Sequence, residues 1–266
     1  MPSVTELVAL RALYDAEVRA RAQASDPAHT LAWDGPVLRL TGPGPSAQDN
    51  AVLFHRLEAG DEADAAIAAQ VAHFGGLGRA FEWKHYEHDR PADLAARLAA
   101  AGFVAEPAET LVVLDVECLE PPARELTGVT VREVGSPELE GIVALHAEVY
   151  GDPASARWLV DSLVSEATAA PGALRVWVAE ADGLVISAGW LRLPEGTSFG
   201  SLWGGSTRPG WQRRGVYGAL VAARVAAARE AGRRWLAVDC SAESLPILLR
   251  RGFERVAVTT PWVWRP

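Results

Sequence analysis

Residues 201–220 read Ser201-Leu-Trp-Gly-Gly-Ser-Thr-Arg-Pro-Gly-Trp-Gln-Arg-Arg-Gly-Val-Tyr-Gly-Ala-Leu220, and the reading of the whole chain turns on them. The run Ser198–Thr207 predicts a strand. A short polar loop follows, and then Gly215–Ala231, rich in Ala, Leu, Val and Arg, predicts a long helix closed by Gly232. The first backbone N–H groups of a helix have no helical acceptor, and with the helix dipole they favour an anion. Gly215 and Gly218 let backbone approach such an anion closely. Arg213 and Arg214 add two cations where the dipole alone opposes positive charge, so a bound anion explains them better than a solvated basic patch. The pattern implies a diphosphate site, with the preceding strand available to hold what the diphosphate carries.

Upstream, Val129–Val134 predicts a strand. Ser136-Pro137 followed by acidic residues predicts a helix with Ser136 as its N-cap, running to about Tyr150. A second helix is expected over Ser155–Ala169. Strands are expected at Leu174–Glu180 and Val185–Leu193, joined by an Asp182-Gly183 turn. Downstream come a strand Trp235–Cys240, a short helix Glu243–Arg251 and a final strand pair within Glu254–Trp264.

The segment Gln212-Arg213-Arg214-Gly215-Val216-Tyr217 resembles the acetyl-CoA motif of the Gcn5-related N-acetyltransferase (GNAT) family, Gln/Arg-x-x-Gly-x-Gly/Ala. Pro209 and the small residues ending the strand fit as well. Tyr217 departs from the pattern, with Gly218 one step later. The resemblance covers about residues 129–266 in element order. It implies an α/β (α+β) acyl-CoA N-acyltransferase fold, with a mixed, mostly antiparallel sheet flanked by helices. It further implies that Gln212, Arg213, Arg214, Gly215, Val216, Tyr217 and Gly218 hold the pyrophosphate of acetyl-CoA. Gly205 and Thr207 would bond the pantetheine arm through main-chain groups, where this strand splays from Trp235–Cys240.

In this family an amine attacks the thioester directly, which calls for a neutral amine, an oxyanion donor and an acid for the leaving thiolate. The usual acid is a tyrosine four residues before the Gly of Gly252-Phe253. That position is Leu248 here, and Ser241 stands where an asparagine is common. The strand glutamate that often serves as base has no counterpart in Ser198–Trp203. Replacement candidates are Ser241, Ser244 and Tyr217 for a hydroxyl near the thiol, Ser241 thereby also touching the cofactor. Asp239 or Glu243 would order the amine or its water, although a strand-end carboxylate at Asp239 also has a plain capping role. Cys240 reads as a small buried hydrophobe.

The first half repeats the ending. A strand over Ala80–Tyr86 feeds a helix over Ala92–Ala101, Gly102-Phe103, and a strand over Thr110–Val116. We read this as a duplication: a degenerate GNAT-like domain at 1–126 and an acetyltransferase domain at 127–266, linked by Glu120-Pro121-Pro122 through Gly128. The first copy's equivalent of the motif, Leu57–Asp64, carries four carboxylates that would repel a pyrophosphate. His85 and His88 read as surface or capping residues, and no metal is expected. Trp203, Trp211, Trp262 and Trp264 either line a cleft for an apolar or cationic acceptor or pack in the core.

The composition is that of a globular chain, with 49% hydrophobic and 22% charged residues. Net charge is −9, which argues against nucleic acid as a partner. Residues 1–126 hold 10 basic and 20 acidic side chains and residues 127–266 hold 15 and 14, so the charge for a polyanionic cofactor lies in the second half. No apolar run suggests a membrane span, no leader is evident, and Cys118 and Cys240 suggest neither disulfide nor zinc, so a cytoplasmic setting is expected. No Walker-type or Gly-x-Gly-x-x-Gly pattern supports another nucleotide-binding fold. The expected function is transfer of an acetyl group to a primary amine of a small molecule or peptide, by a monomer or homodimer. The alternative is a catalytically weak acyl-CoA-binding or regulatory protein of the same fold.

Overall fold

The computed structural model describes residues 3–119 and 126–266. Ser3 caps helix α1 (Val4–Tyr14), exchanging hydrogen bonds with Glu6, and the chain continues through a π-helical turn, Asp15–Arg19. Strands β1 (Thr30–Asp34), β2 (Val37–Thr41) and β3 (Asn50–His55) precede helix α2 (Gly60–Gly76), followed by β4 (Phe81–Tyr86) and α3 (Leu94–Ala100). Short β5 (Val104–Ala105) and β6 (Glu109–Asp115) close the first half. The second half runs β7 (Thr130–Val134), α4 (Glu140–Tyr150), α5 (Pro153–Ala169), β8 (Leu174–Ala181), β9 (Leu184–Arg192), β10 (Phe199–Thr207), α6 (Val216–Glu230), β11 (Trp235–Cys240), α7 (Leu245–Leu249) and β12 (Glu254–Trp264).

These elements form two compact units. One holds the described residues up to Val112 with Asp239–Leu245 and Arg255–Pro266; the other holds the described part of Val113–Val238 with Pro246–Glu254. In the first, β1, β2 and β3 pair antiparallel, β3 and β4 pair parallel, and β12 lies antiparallel on β4. The core there is Val37, Val52, Leu57, Ile67, Phe74, Phe81, Trp83, Leu94, Leu98 and Phe103, with Trp262 and Trp264 packed on it. In the second, β7 through β10 pair antiparallel and β10 pairs parallel with β11. Its core sets Ile142, Leu145, Val160 and Leu163 of α4 and α5 against Val176, Val178, Ala188 and Trp190 of the sheet. Each sheet is therefore mixed, and each parallel pair is joined through a helix, as parallel strands require.

The copies match in detail at the Gly-Phe pairs. Gly102 and Gly252 adopt φ of +90° and +89°. Phe103 donates its N–H to Leu98 O at 3.1 Å and Phe253 to Leu248 O at 3.2 Å, while Gly102 donates to Ala99 O and Gly252 to Leu249 O, both at 3.1 Å. Both helices thus end in the same left-handed glycine cap, with a buried leucine under a buried phenylalanine.

Three expectations differ from what is observed. Helix α4 starts at Glu140, not after Ser136; Ser136–Glu138 is a 3-10 turn whose Glu138 carboxylate binds the Gly135 N–H at 3.1 Å. The final strand pair is one strand, β12, whose Thr259–Trp264 face Tyr86–Phe81 of β4. Pro261 does not break it, and its carbonyl accepts the Glu106 N–H at 2.9 Å. Chain order and packing also part company, since residues from Arg255 onward pack with the first unit. Most of the expected linker, 120–125, lies outside the described residues.

Candidate active site

Strand β10 is ordinary only at its start. Phe199–Ser201 pair with Trp235–Ala237 of β11, and beyond Ser201 no further β11 pairing forms among the described residues. On its other side β10 follows β9 to Thr207, but the register slips between Gly204 and Ser206. This is a bulge at Gly204-Gly205, with φ of +71° and +104°, a region that strongly favours glycine. Space demands glycine too. A Cβ on Gly204 would meet the Trp190 ring at 2.4 Å, and one on Gly205 would meet the Tyr217 ring at 2.6 Å.

Arg224 of α6 holds this irregularity from beneath. Its side chain is about as buried as a core leucine (residue exposure 1%) and lies flat on Gly189. Nη1 donates to the carbonyls of Trp203 at 2.9 Å and Trp190 at 3.3 Å, and Nε to Leu220 O at 3.0 Å. Burial pushes the guanidinium down to about 10, so it stays charged at neutral pH. Past the bulge, Ser187 Oγ donates to Ser206 O at 2.6 Å and sits 2.7 Å from Thr207 Oγ1.

The loop to α6 is tight. Gln212 Nε2 reaches back to Thr207 O at 3.1 Å, Arg213 takes a left-handed φ of +59°, and Gly215 caps the helix at φ +92°. No side chain caps this helix and no acid lies in its first turn. The first α6 backbone bond to Gly215 comes from Ala219, which leaves the N–H groups of Val216 and Gly218 ahead of the helical ladder. Arg214 stacks over Trp211 at 5.0 Å, holding its charge beside the loop. The guanidinium of Arg251 lies against Gly218, within 2.4 Å of where a Cβ would stand. That third arginine was not singled out in the sequence, although its place next to Gly252-Phe253 was visible.

Of the expected site residues, Gly205, Thr207, Gln212, Arg213, Arg214, Gly215, Val216, Tyr217 and Gly218 come together in the second unit. The segment with Asp239, Ser241 and Glu243 belongs to the first unit. There Lys84 Nζ lies 3.2 Å from Asp239 Oδ2 and 2.8 Å from Glu109 Oε2. Ser241 Oγ accepts the Ser244 N–H at 3.4 Å and Leu245 N–H binds Ser241 O at 3.0 Å, so Ser241 starts the turn into α7. Hydrogen bonding from Ser241 lowers the exposed Glu243 carboxyl. Cys240 is buried and burial pushes its thiol up to about 11, so it stays protonated. Leu248 is fully buried.

Trp262 and Trp264 pack on the core of the first unit, whereas Trp203 is half exposed, under the Arg192 guanidinium at 4.7 Å. His88 is partly buried, with its Nε2 2.8 Å from Asp15 Oδ2. Among the described residues no group of three or more His, Cys, Asp or Glu is placed to hold a metal, and no helix is long and apolar enough to cross a membrane.

The same two strands in the first unit are closed. Among the described residues β3 and β4 pair only at Ala51-Val52 against Glu82-Trp83. Past that point Arg19 packs against rings from both strands, 3.7 Å from Tyr86 and 5.2 Å from Phe54. Asp89 at 2.9 Å and Asp15 at 2.9 Å neutralise it. At the start of α2 the Glu62 carboxylate binds the Glu58 N–H at 3.1 Å, and Arg97 fills the space over Gly60. An anion at this helix start would also meet the carboxylates of Asp61 and Glu62 in its first turn, which α6 lacks.

One neighbour of β10 escaped the sequence reading. Tyr150 ends α4, is 61% exposed, and its hydroxyl accepts from Ser206 Oγ at 3.5 Å. The His146 ring lies 4.4 Å from it, and burial lowers that imidazole. The i, i+4 spacing on a predicted helix was the available signal.

No protein-family model matches the sequence, and no curated protein does. Solved structures do. A GCN5-related N-acetyltransferase from Kribbella flavida superposes with a TM-score of 0.68 at 17% identity, over 98% of this chain and 95% of that one. A GCN5-related N-acetyltransferase from Sphaerobacter thermophilus gives 0.62 at 16% identity, over 100% and 95%. A tandem GNAT protein from the clavulanic acid biosynthesis pathway gives 0.61 at 15% identity, over 99% and 96%.

Proposed function

We propose that this chain, which has the Gcn5-related N-acetyltransferase fold in two copies, is an acetyl-CoA-dependent N-acetyltransferase whose cofactor site lies in the second copy. The observation that carries this is the uncapped start of α6, flanked by Arg213, Arg214 and Arg251, at the end of a strand whose outer backbone is left unpaired. Backbone N–H groups from Arg213 to Gly218 hold the pyrophosphate. The free edge of β10 around Gly205 and Thr207 holds the pantetheine arm. Acetyl-CoA supplies the thioester carbonyl, and the acceptor is a primary amine of a small molecule or peptide. The protein's share is positioning and charge stabilisation of a direct attack. The halves 1–126 and 127–266 are the duplicated copies, and the first serves as scaffold.

The role of Asp239 is narrower than that of a free base. Lys84 Nζ lies 3.2 Å from its Oδ2, so this carboxylate already has a partner within the first unit. Calorimetry with acetyl-CoA tests the site. Micromolar binding is expected for the wild type, and its loss in the double variant Arg213→Glu/Gly215→Glu. An amine panel scored by CoA thiol release then tests the reaction. The buried Leu248 favours one other reading, a weakly catalytic acyl-CoA-binding protein. Tight binding with no thiol release on any amine is its signature, and no binding at all sinks both readings.

A further inference from the structure

Direct attack leaves a thiolate that needs a proton, and the residue at the usual position for this acid, Leu248, carries none. We propose that Tyr150 is the proton donor to the leaving CoA sulfur. The inference rests on the acetyl-transfer reading above and names a part of it.

Three observations place the phenol. Its hydroxyl stands 3.5 Å from Ser206 Oγ, and Ser206 is the first residue after the Gly204-Gly205 bulge, on the stretch of β10 whose outer edge is unpaired. It is open to an incoming group, being 61% exposed. The other tyrosine of this unit, Tyr217, instead has its ring packed against Gly205, on the side of β10 that faces α6.

The surroundings suit a neutral donor. His146 lies one turn back on α4 with its ring 4.4 Å away, and burial keeps that imidazole neutral at neutral pH. Glu148 on the same helix is ion-paired with Arg208, which follows β10. Asp152, just beyond α4, is engaged in capping α5, accepting from the N–H groups of Ala154 at 3.0 Å and Ser155 at 3.1 Å. The nearby carboxylates therefore have partners, and neither charges the phenol's surroundings outright.

The amine nitrogen forms the C–N bond, and the C–S bond breaks with its electron pair going to sulfur. The Tyr150 Oη–H proton passes to that sulfur. The proton shed by the nitrogen restores the phenol, with the His146 imidazole as the adjacent carrier.

The test needs no knowledge of the acceptor. CoA enriched in ¹³C at the carbon bearing sulfur is bound to the full-length protein, and its NMR shift is followed with pH. A phenol that donates to sulfur stabilises the thiolate, so the bound thiol is expected to titrate at least about one pH unit lower in the wild type than in Tyr150→Phe, a tenfold effect. Acetyl-CoA affinity should differ by less than about threefold between the two. With any amine the wild type accepts, kcat should fall by about 10²-fold or more in the variant, the usual scale for losing a general acid. Equal thiol titrations in the two proteins overturn the proposal. So does a rise produced by Tyr217→Phe and not by Tyr150→Phe. Failure of the wild type to bind CoA removes the acetyl-transfer reading itself, which is a different result.

Discussion

Replacing Arg224 by methionine isolates the one buried charge beneath the bulge. Methionine keeps much of the length and apolar bulk but removes the guanidinium. Three bonds from a charged donor disappear, each worth about 1.5–3 kcal/mol net. The carbonyls of Trp203 and Trp190 lose that donor. Against this stands relief of the charge's burial. A guanidinium pushed down to about 10 by burial corresponds to roughly 3 kcal/mol of disfavoured charging. The balance is a destabilisation of about 1.5–6 kcal/mol, a large share of a typical domain's 5–15 kcal/mol. Urea unfolding followed by circular dichroism measures it, and calorimetry with acetyl-CoA follows the site. Affinity is expected to fall at least about tenfold, a coupling of about 1.4 kcal/mol, because the peptide at Trp203-Gly204 is no longer pinned. Arg224→Lys, which keeps the charge but reaches fewer carbonyls, should fall between the two. A methionine variant as stable as wild type, with unchanged acetyl-CoA affinity, would show that the glycines alone shape the bulge and that the arginine is merely tolerated.

Gly205→Ala should cost about 1–3 kcal/mol and abolish acetyl-CoA binding, since the residue sits at φ +104° and its new methyl meets the Tyr217 ring; thermal melting and calorimetry check both. Leu248→Tyr should not raise activity: the site is fully buried, and the added ring costs about 1–3 kcal/mol of overpacking, read by urea midpoint beside the thiol-release rate. Asp89→Asn should destabilise the first unit by about 3–5 kcal/mol at pH 7, because it leaves Arg19 short of a partner. Burial alone would raise the Asp89 carboxyl, but hydrogen bonding from His55 and the charges of Arg19 and His55 hold it well below the usual carboxylate range. Its folded pKa is therefore the lower one, so its stabilisation is present above about pH 4 and lost as pH falls further. The gap between wild type and Asp89→Asn in urea titrations should shrink in that window; a gap that stays constant from pH 6 to pH 3 refutes the ion-pair account.

How much of this was legible in the sequence depends on the range over which each feature is determined. The α6 loop is local: Pro209, two arginines, Gly215 and a helix-forming run settle a strand–loop–helix whatever surrounds them, and the elements of the second half up to α7 were found within a few residues. The start of α4 was missed because Glu138 turns back onto Gly135, a choice between two nearly equal local caps. The fate of β12 was not legible. Nothing within Glu254–Trp264 reveals that Trp262 and Trp264 pack with Phe74, Phe81 and Phe103 of the first unit, because long-range pairing is specified by partners far away in the chain. Arg224 was invisible for the same reason. In a helix of alanines and arginines it reads as one more solvated side chain, and only Gly189 opposite makes room for it.

The two copies bear on why an acid must be sought away from α7. In the first copy Leu98 is the third residue from the end of α3, receives the Phe103 N–H, and is fully buried. Leu248, second from the end of α7, likewise receives the Phe253 N–H and is fully buried. A position with identical backbone bonds and identical burial in both copies is occupied by leucine for packing, independently of whether that copy retains an anion site. A phenol there would have to find a hydrogen-bond partner within a leucine-sized space. A hydroxyl serving the sulfur must instead come from an element beside the unpaired edge of β10, and α4 supplies one at Tyr150. If Tyr150→Phe left the titration of the bound thiol unmoved, the leucine would then count as evidence for binding without chemistry.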